Sequence, residues 1–74
     1  MDINAFVSKI EEQYTEVTPG SFTAKTNFKE EAEWGSLTAL MIVAMVDQEY
    51  EKRLTGEMIE ASKTIEDLYN NLMK

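Results

Sequence analysis

Apolar residues recur at three- and four-residue intervals in three separate segments of this chain, and that period restricts its fold more than any other feature. The first segment, "DINAFVSKIEEQY", puts Ile3, Phe6, Val7, Ile10 and Tyr14 on one helical face. Asp2 stands where it can cap that helix or favour its dipole. The second segment begins at Ser36 or Leu37 and runs to about Tyr50, with Ala39, Ile42, Val43, Val46 and Tyr50 expected to face inward. The third carries Ile65, Leu68, Tyr69 and Leu72, and Thr64 with Asp67 three residues later approximates a capping box at its start.

Between these segments the period breaks. "TEVTPGSFTAKTN" holds the single proline, Pro19, followed by Gly20, among threonine and serine, which is a turn or loop signal. So long a connection in a small domain needs anchors, and Phe22 and Phe28 are the expected plugs. "RLTGEMIEASKT" reads as a break, a short helical turn and a second break, with Gly56 flexible and Met58 and Ile59 to bury. There is no internal repeat and no low-complexity segment. Stripes this narrow are buried only against one another, so residues 1–74 are expected to form a single all-α bundle. It has three main helices, one short helix and a long first loop.

Composition narrows the chemistry. Without cysteine there is no disulfide and no thiolate metal site; without histidine the usual general base and the commonest metal ligand are missing. No two carboxylates stand out as an opposed acid–base pair, so neither catalysis nor a metal site is expected. Fourteen acidic against seven basic residues give a net charge of −7, which repels phosphate backbones and anionic lipid and suits basic protein partners. The same charge also serves solubility. The apolar run over residues 40–46 is too short to span a bilayer, and the chain opens on acidic "MDINAF" rather than a leader. The expected location is the cytoplasm.

The second helix has more apolar surface than one face can bury. Leu37, Leu40, Met41, Ala44 and Met45 lie outside or beside its inward stripe. Leu37 and Met41 either meet a partner or touch the long loop, whereas Met45 is expected in the core. Downstream come Asp47, Glu49, Glu51, Glu57 and Glu60, interrupted by Lys52 and Arg53. Carboxylates at a helix C-terminus oppose its dipole, so they read as a solvated face or as a docking surface for basic partners. At the other end, Ser36 is either a helix cap, commonly worth about 1 kcal/mol over alanine, or a point of attachment. Ala39, three residues on, cannot complete a capping box.

A Trp-x-Ser-Leu entering the second helix of a long-looped bundle, with acids after it, resembles the acyl carrier protein family. "WGSLTALMIVAMVDQEYEKRLTGEMIEASKTIEDLYNNL" is similar to that family without a gap, and "TNFKEEAEW" fits with Phe28 as the loop aromatic. The first helix matches only in pattern. The resemblance implies an acyl-carrier-like four-helix bundle acting as a stand-alone, monomeric carrier in fatty acid, polyketide or other lipid metabolism. Ser36 would receive 4′-phosphopantetheine from coenzyme A through a phosphopantetheinyl transferase, and the arm's thiol would carry acyl thioesters between enzymes. The reactive sulfur would thus arrive with the cofactor, and its phosphodiester would sit at a helix N-terminus. Partners would be acyl-loading, condensing or acyl-transferring enzymes with basic docking surfaces. Leu37 and Met41 would guide arm and partner, and Asp47, Glu49, Glu57 and Glu60 would steer approach. A chain cavity, if formed, would lie near Phe28, Ile42, Val46, Ile59 and Leu68, positions that otherwise read as plain core.

Two departures from the family pattern stand out. Gly35 replaces the aspartate that precedes the modified serine and helps hold magnesium during transfer, so Glu33, Glu31 or the transferase would have to supply that ligand. Thr38 and Met41 occupy a surface that is usually acidic, which implies partners with a more apolar docking patch. The alternative is a carrier-shaped, unmodified acidic interaction module.

Overall fold

Asp2 opens the first helix by accepting the Asn4 N–H at 3.1 Å, and the chain then coils as α1 over Ile3–Glu11. The coordinates are a computed structural model that describes residues 2–74. The helix ends before the apolar period does. The Gln13 and Tyr14 N–H groups turn back onto the Ile10 and Glu11 carbonyls, each at 3.0 Å, tightening the last turn. Tyr14 is nonetheless buried, and its hydroxyl donates to the Phe28 carbonyl at 2.6 Å. Burial, followed by the Glu31 and Glu33 charges, pushes that hydroxyl's pKa well up.

The last residue of α1 organises the loop beyond it. The Glu11 carboxylate accepts the Gly20 and Phe22 N–H groups at 3.0 and 2.9 Å, closing a turn in which Gly20 has φ +87°. An L side chain there would be strained. Phe22 is buried edge-on against Tyr14 with ring centroids 5.0 Å apart. A 3₁₀ turn, Phe28–Glu30, seats the wholly buried Phe28. Both aromatic plugs are where their sequence context suggests.

α2 spans Ser36–Tyr50, α3 Gly56–Glu60 and α4 Ile65–Met73. Thr55 caps α3, accepting the Met58 N–H at 3.2 Å. At α4 both halves of the capping box form: Thr64 Oγ1 accepts from Asp67 N–H, and Asp67 Oδ2 accepts from Thr64 N–H, each at 3.1 Å. The long loop then crosses the start of α4. Ile65 and Glu66 N–H donate to the Thr26 and Ala24 carbonyls at 3.1 and 2.9 Å, so the loop supplies acceptors that the helix lacks. Lys29 Nζ donates to the Ile59 carbonyl at 2.9 Å, a cation at the negative end of α3.

These contacts close around one core. α1 and α3 pack on α4, and Phe6 meets Tyr50 of α2 and Tyr69 of α4 at 5.7 and 5.4 Å. Phe6, Ile10, Phe28, Ile42, Ile65 and Leu68 are completely buried. Each such side chain contributes roughly 1.5–3 kcal/mol relative to exposure. Leu54, which belongs to an expected break, is a core residue at 3% exposure. The described residues form a small all-helical bundle, and among them no helix is long and apolar enough to cross a membrane.

The inward face of α2 differs from the expected one. Thr38, Ile42, Met45 and Val46 are buried, while Ala39, Val43 and Tyr50 are half-buried. The helix is apolar nearly all round, so its period alone cannot choose the face. Packing of Ile42, Met45 and Val46 into the shared core chooses it instead, and Thr38 is buried on the same side. Thr38 is therefore not on the surface assigned to it from the sequence.

Candidate functional site: the entrance to α2

Three residues set the geometry at the start of α2. Thr38 Oγ1 donates to the Glu33 carbonyl at 2.6 Å, tying the first helical turn to the incoming chain. Glu33 is held on its other side: Oε1 accepts from the Thr15 N–H and hydroxyl at 2.7 and 2.8 Å, and Oε2 accepts from the Glu16 N–H at 2.7 Å. Led by the Thr15 N–H bond, these donors hold the Glu33 carboxyl below the usual carboxylate range. Trp34 leans edge-on against Phe28 at 5.5 Å. The entry is anchored by backbone, side chain and ring together.

Gly35 follows in an extended conformation, φ 178° and ψ −174°, and its carbonyl accepts the Ala39 N–H at 2.9 Å. A Cβ added there would meet no atom within 4 Å. Neither backbone conformation nor crowding calls for glycine, so the missing aspartate is not excluded by shape.

Gly35, not Ser36, is the N-cap, and no side chain caps α2. Ser36 is the first helical residue and is exposed. Its hydroxyl is thus displaced from the capping role that serine often fills. The first-turn N–H groups of α2 lack a side-chain acceptor, and no acidic residue lies in that turn.

The remaining candidate residues fall on several surfaces. Leu37 is 71% exposed, so most of its surface is open to solvent. Leu40, at 63%, is its exposed apolar neighbour. Met41 is only half-buried and turns toward α1, where it lines a groove with Lys9, Gln13 and Met45. Glu49 lines the same groove and pairs with Lys9 at 3.4 Å. Asp47 lines a different groove with Leu40, Val43, Lys52, Arg53 and Leu54. Glu57 and Glu60 are exposed on α3, and neither lines these two grooves.

Two of these carboxylates have a local explanation. Glu57 lies in the first turn of α3, where the dipole favours it, and Glu49 has its lysine. Asp47 and Glu60 have no charged partner among the described residues. Phe28, Ile42, Val46 and Leu68 are wholly buried as core, with Ile59 half-buried beside them.

Sequence reasoning placed Leu40 outside the inward stripe, as found, but did not assign it to the candidate site, and it missed the Leu54 groove. A signal was present for the first, because Leu40 follows Ser36 by four residues and so shares its helix face. No protein-family model, no curated protein and no solved structure matches the chain.

Proposed function

We propose that the protein is a stand-alone acyl carrier of the phosphopantetheine-dependent kind, with Ser36 as its point of attachment. The observation that carries this reading is the position of Ser36: an exposed hydroxyl, first in its helix, relieved of capping by Gly35. The residues present suit the group. A phosphodiester on Ser36 would lie beside first-turn N–H groups that no side chain caps, at the positive end of a 15-residue helix. When bound, 4′-phosphopantetheine supplies a thiol for thioester formation, which a chain without cysteine cannot supply itself.

In this reading Leu37 and Leu40 meet the loading and acyl-transferring enzymes through an apolar patch, Asp47 and Glu60 steer a basic surface toward it, and the carrier works as a monomer without catalysis of its own. Glu33 is a poor substitute for the absent aspartate, because both its oxygens already accept hydrogen bonds. The missing magnesium ligand falls to Glu31 or to the transferase.

One observation favours a second reading, an unmodified acidic interaction module: Gly35 offers no side-chain oxygen beside Ser36. Intact-mass measurement after incubation with coenzyme A and several phosphopantetheinyl transferases separates the two. The carrier reading expects a gain of one phosphopantetheinyl group, abolished by Ser36→Ala. A mass unchanged with every enzyme, in the natural chain and in Gly35→Asp alike, overturns it.

A further inference from the structure

Lys52 and Arg53 are exposed, and neither belongs to an ion pair among the described residues. Lys63 and Lys74 are likewise exposed and outside the ion pairs, so what sets Lys52 and Arg53 apart is the apolar groove they share. The two line a groove of about 250 Å³ whose apolar walls are Leu40, Val43 and Leu54. Asp47 is the one carboxylate that lines it, so two cations stand against one anion in the groove lining on a chain of net charge −7. A left-handed residue, Glu51 at φ 54°, ends α2 and turns residues 52–54 back along it.

The groove is also aligned with the serine. Ser36, Leu40, Val43 and Asp47 follow one another at intervals of four, three and four residues, which is a single stripe on α2. Along the axis, Ser36 and Asp47 are about 16 Å apart at 1.5 Å per residue. A flexible attachment at Ser36 that follows this stripe reaches apolar wall first and cations last.

We propose that this groove, framed by Leu40, Val43 and Leu54 and closed by Lys52 and Arg53, receives a short acyl chain that ends in a carboxylate. The inference rests on the carrier reading and names its cargo class. A purely aliphatic chain would use only the apolar walls, whereas a terminal carboxylate also accepts charge-assisted hydrogen bonds from Lys52 and Arg53. The volume lies just below that of pockets for drug-sized ligands, which suits a short chain better than a helix of another protein.

A chemical tether tests this without any transferase. The chain has no cysteine, so Ser36→Cys introduces a single thiol at an exposed position. Maleimide linkers of equal length, one ending in a carboxylate and one in its methyl ester, are attached there and amide chemical shifts are compared. The carboxylate adduct is expected to shift Leu40, Val43, Lys52, Arg53 and Leu54 beyond the ester adduct. Lys52→Gln or Arg53→Gln should reduce that difference, the double variant should remove it, and Asp47→Asn should enlarge it.

Identical spectra from the two adducts overturn the proposal, as does a difference that survives in the double variant. Shifts at Leu37 and Leu40 that grow with protein concentration in both adducts, the sign of a second copy on this face, overturn it too. Because the tether is synthetic, failed enzymatic loading of Ser36 would remove the carrier reading and leave these spectra unaffected.

Discussion

Glu33 Oε1 accepts two hydrogen bonds from Thr15, one from its backbone N–H at 2.7 Å and one from its hydroxyl at 2.8 Å. This contact joins the chain leaving α1 to the chain entering α2, and it depends on a charged carboxylate. Glu11 and Asp67 play similar parts elsewhere, and donated backbone N–H bonds hold all three carboxyls below the usual range. A carboxyl whose pKa is depressed by folding binds fewer protons folded than unfolded in acid. Its stabilisation is complete above the ordinary carboxylate pKa of about 4 to 4.5, and is lost as pH falls through the lower folded value. Thermal unfolding followed by circular dichroism should therefore give a melting temperature that is steady near neutrality and falls below about pH 4.5. Glu33→Gln should lower the neutral value, since its amide would face the Glu16 N–H donor, and should make the acid decline shallower. An unaltered pH profile would show that the Glu33 clamp does not contribute.

Thr38 makes the second link to the same segment through its hydroxyl on the Glu33 carbonyl. Thr38→Val keeps the shape and removes the donor, and should cost about 1 kcal/mol in urea unfolding. Thr38→Ser retains the donor and should cost less. Equal losses in the two variants would point to the methyl group rather than the hydrogen bond.

Ile42 and Leu40 sit on the same helix with opposite environments, one wholly buried and the other 63% exposed. Ile42→Ala should destabilise by about 2–4 kcal/mol through lost burial and a residual cavity. Leu40→Ala should stay within about 0.5 kcal/mol. In a domain with stability on the order of 5 kcal/mol, only the first is a severe loss. Chemical denaturation of both variants checks the contrast, and a comparable loss in Leu40→Ala would mean that Leu40 is covered in solution.

Glu51 holds the left-handed position at the end of α2, with its N–H donating to the Asp47 carbonyl at 3.0 Å. A glycine avoids the Cβ penalty there, so Glu51→Gly should raise stability by about 0.5–1 kcal/mol after its larger unfolded-state entropy is counted. A loss of stability would assign the Glu51 side chain a supporting contact.

Much of the architecture was legible in short-range pattern. The Thr64–Asp67 box, the Asp2 cap and the Phe22 and Phe28 plugs each rest on residues a few positions apart or on one aromatic in a polar loop. Leu54 was not legible, because a lone leucine between Arg53 and Thr55 carries no period. At the candidate site, Ser36 and its glycine could be read directly. The engagement of Glu33 with Thr15 could not, since the two lie in different irregular segments.

Helical period, capping chemistry and the lack of cysteine and histidine were enough to dictate an all-helical bundle with no thiol or imidazole of its own. They act between near neighbours or by composition, and they hold in any packing. Which side of α2 turns inward, which of the candidate carboxylates are paired, and where two cations meet an apolar wall came from contacts between distant segments. Those are matters of position in space, and an almost uniformly apolar helix such as α2 has no amphipathic stripe that could have announced them beforehand.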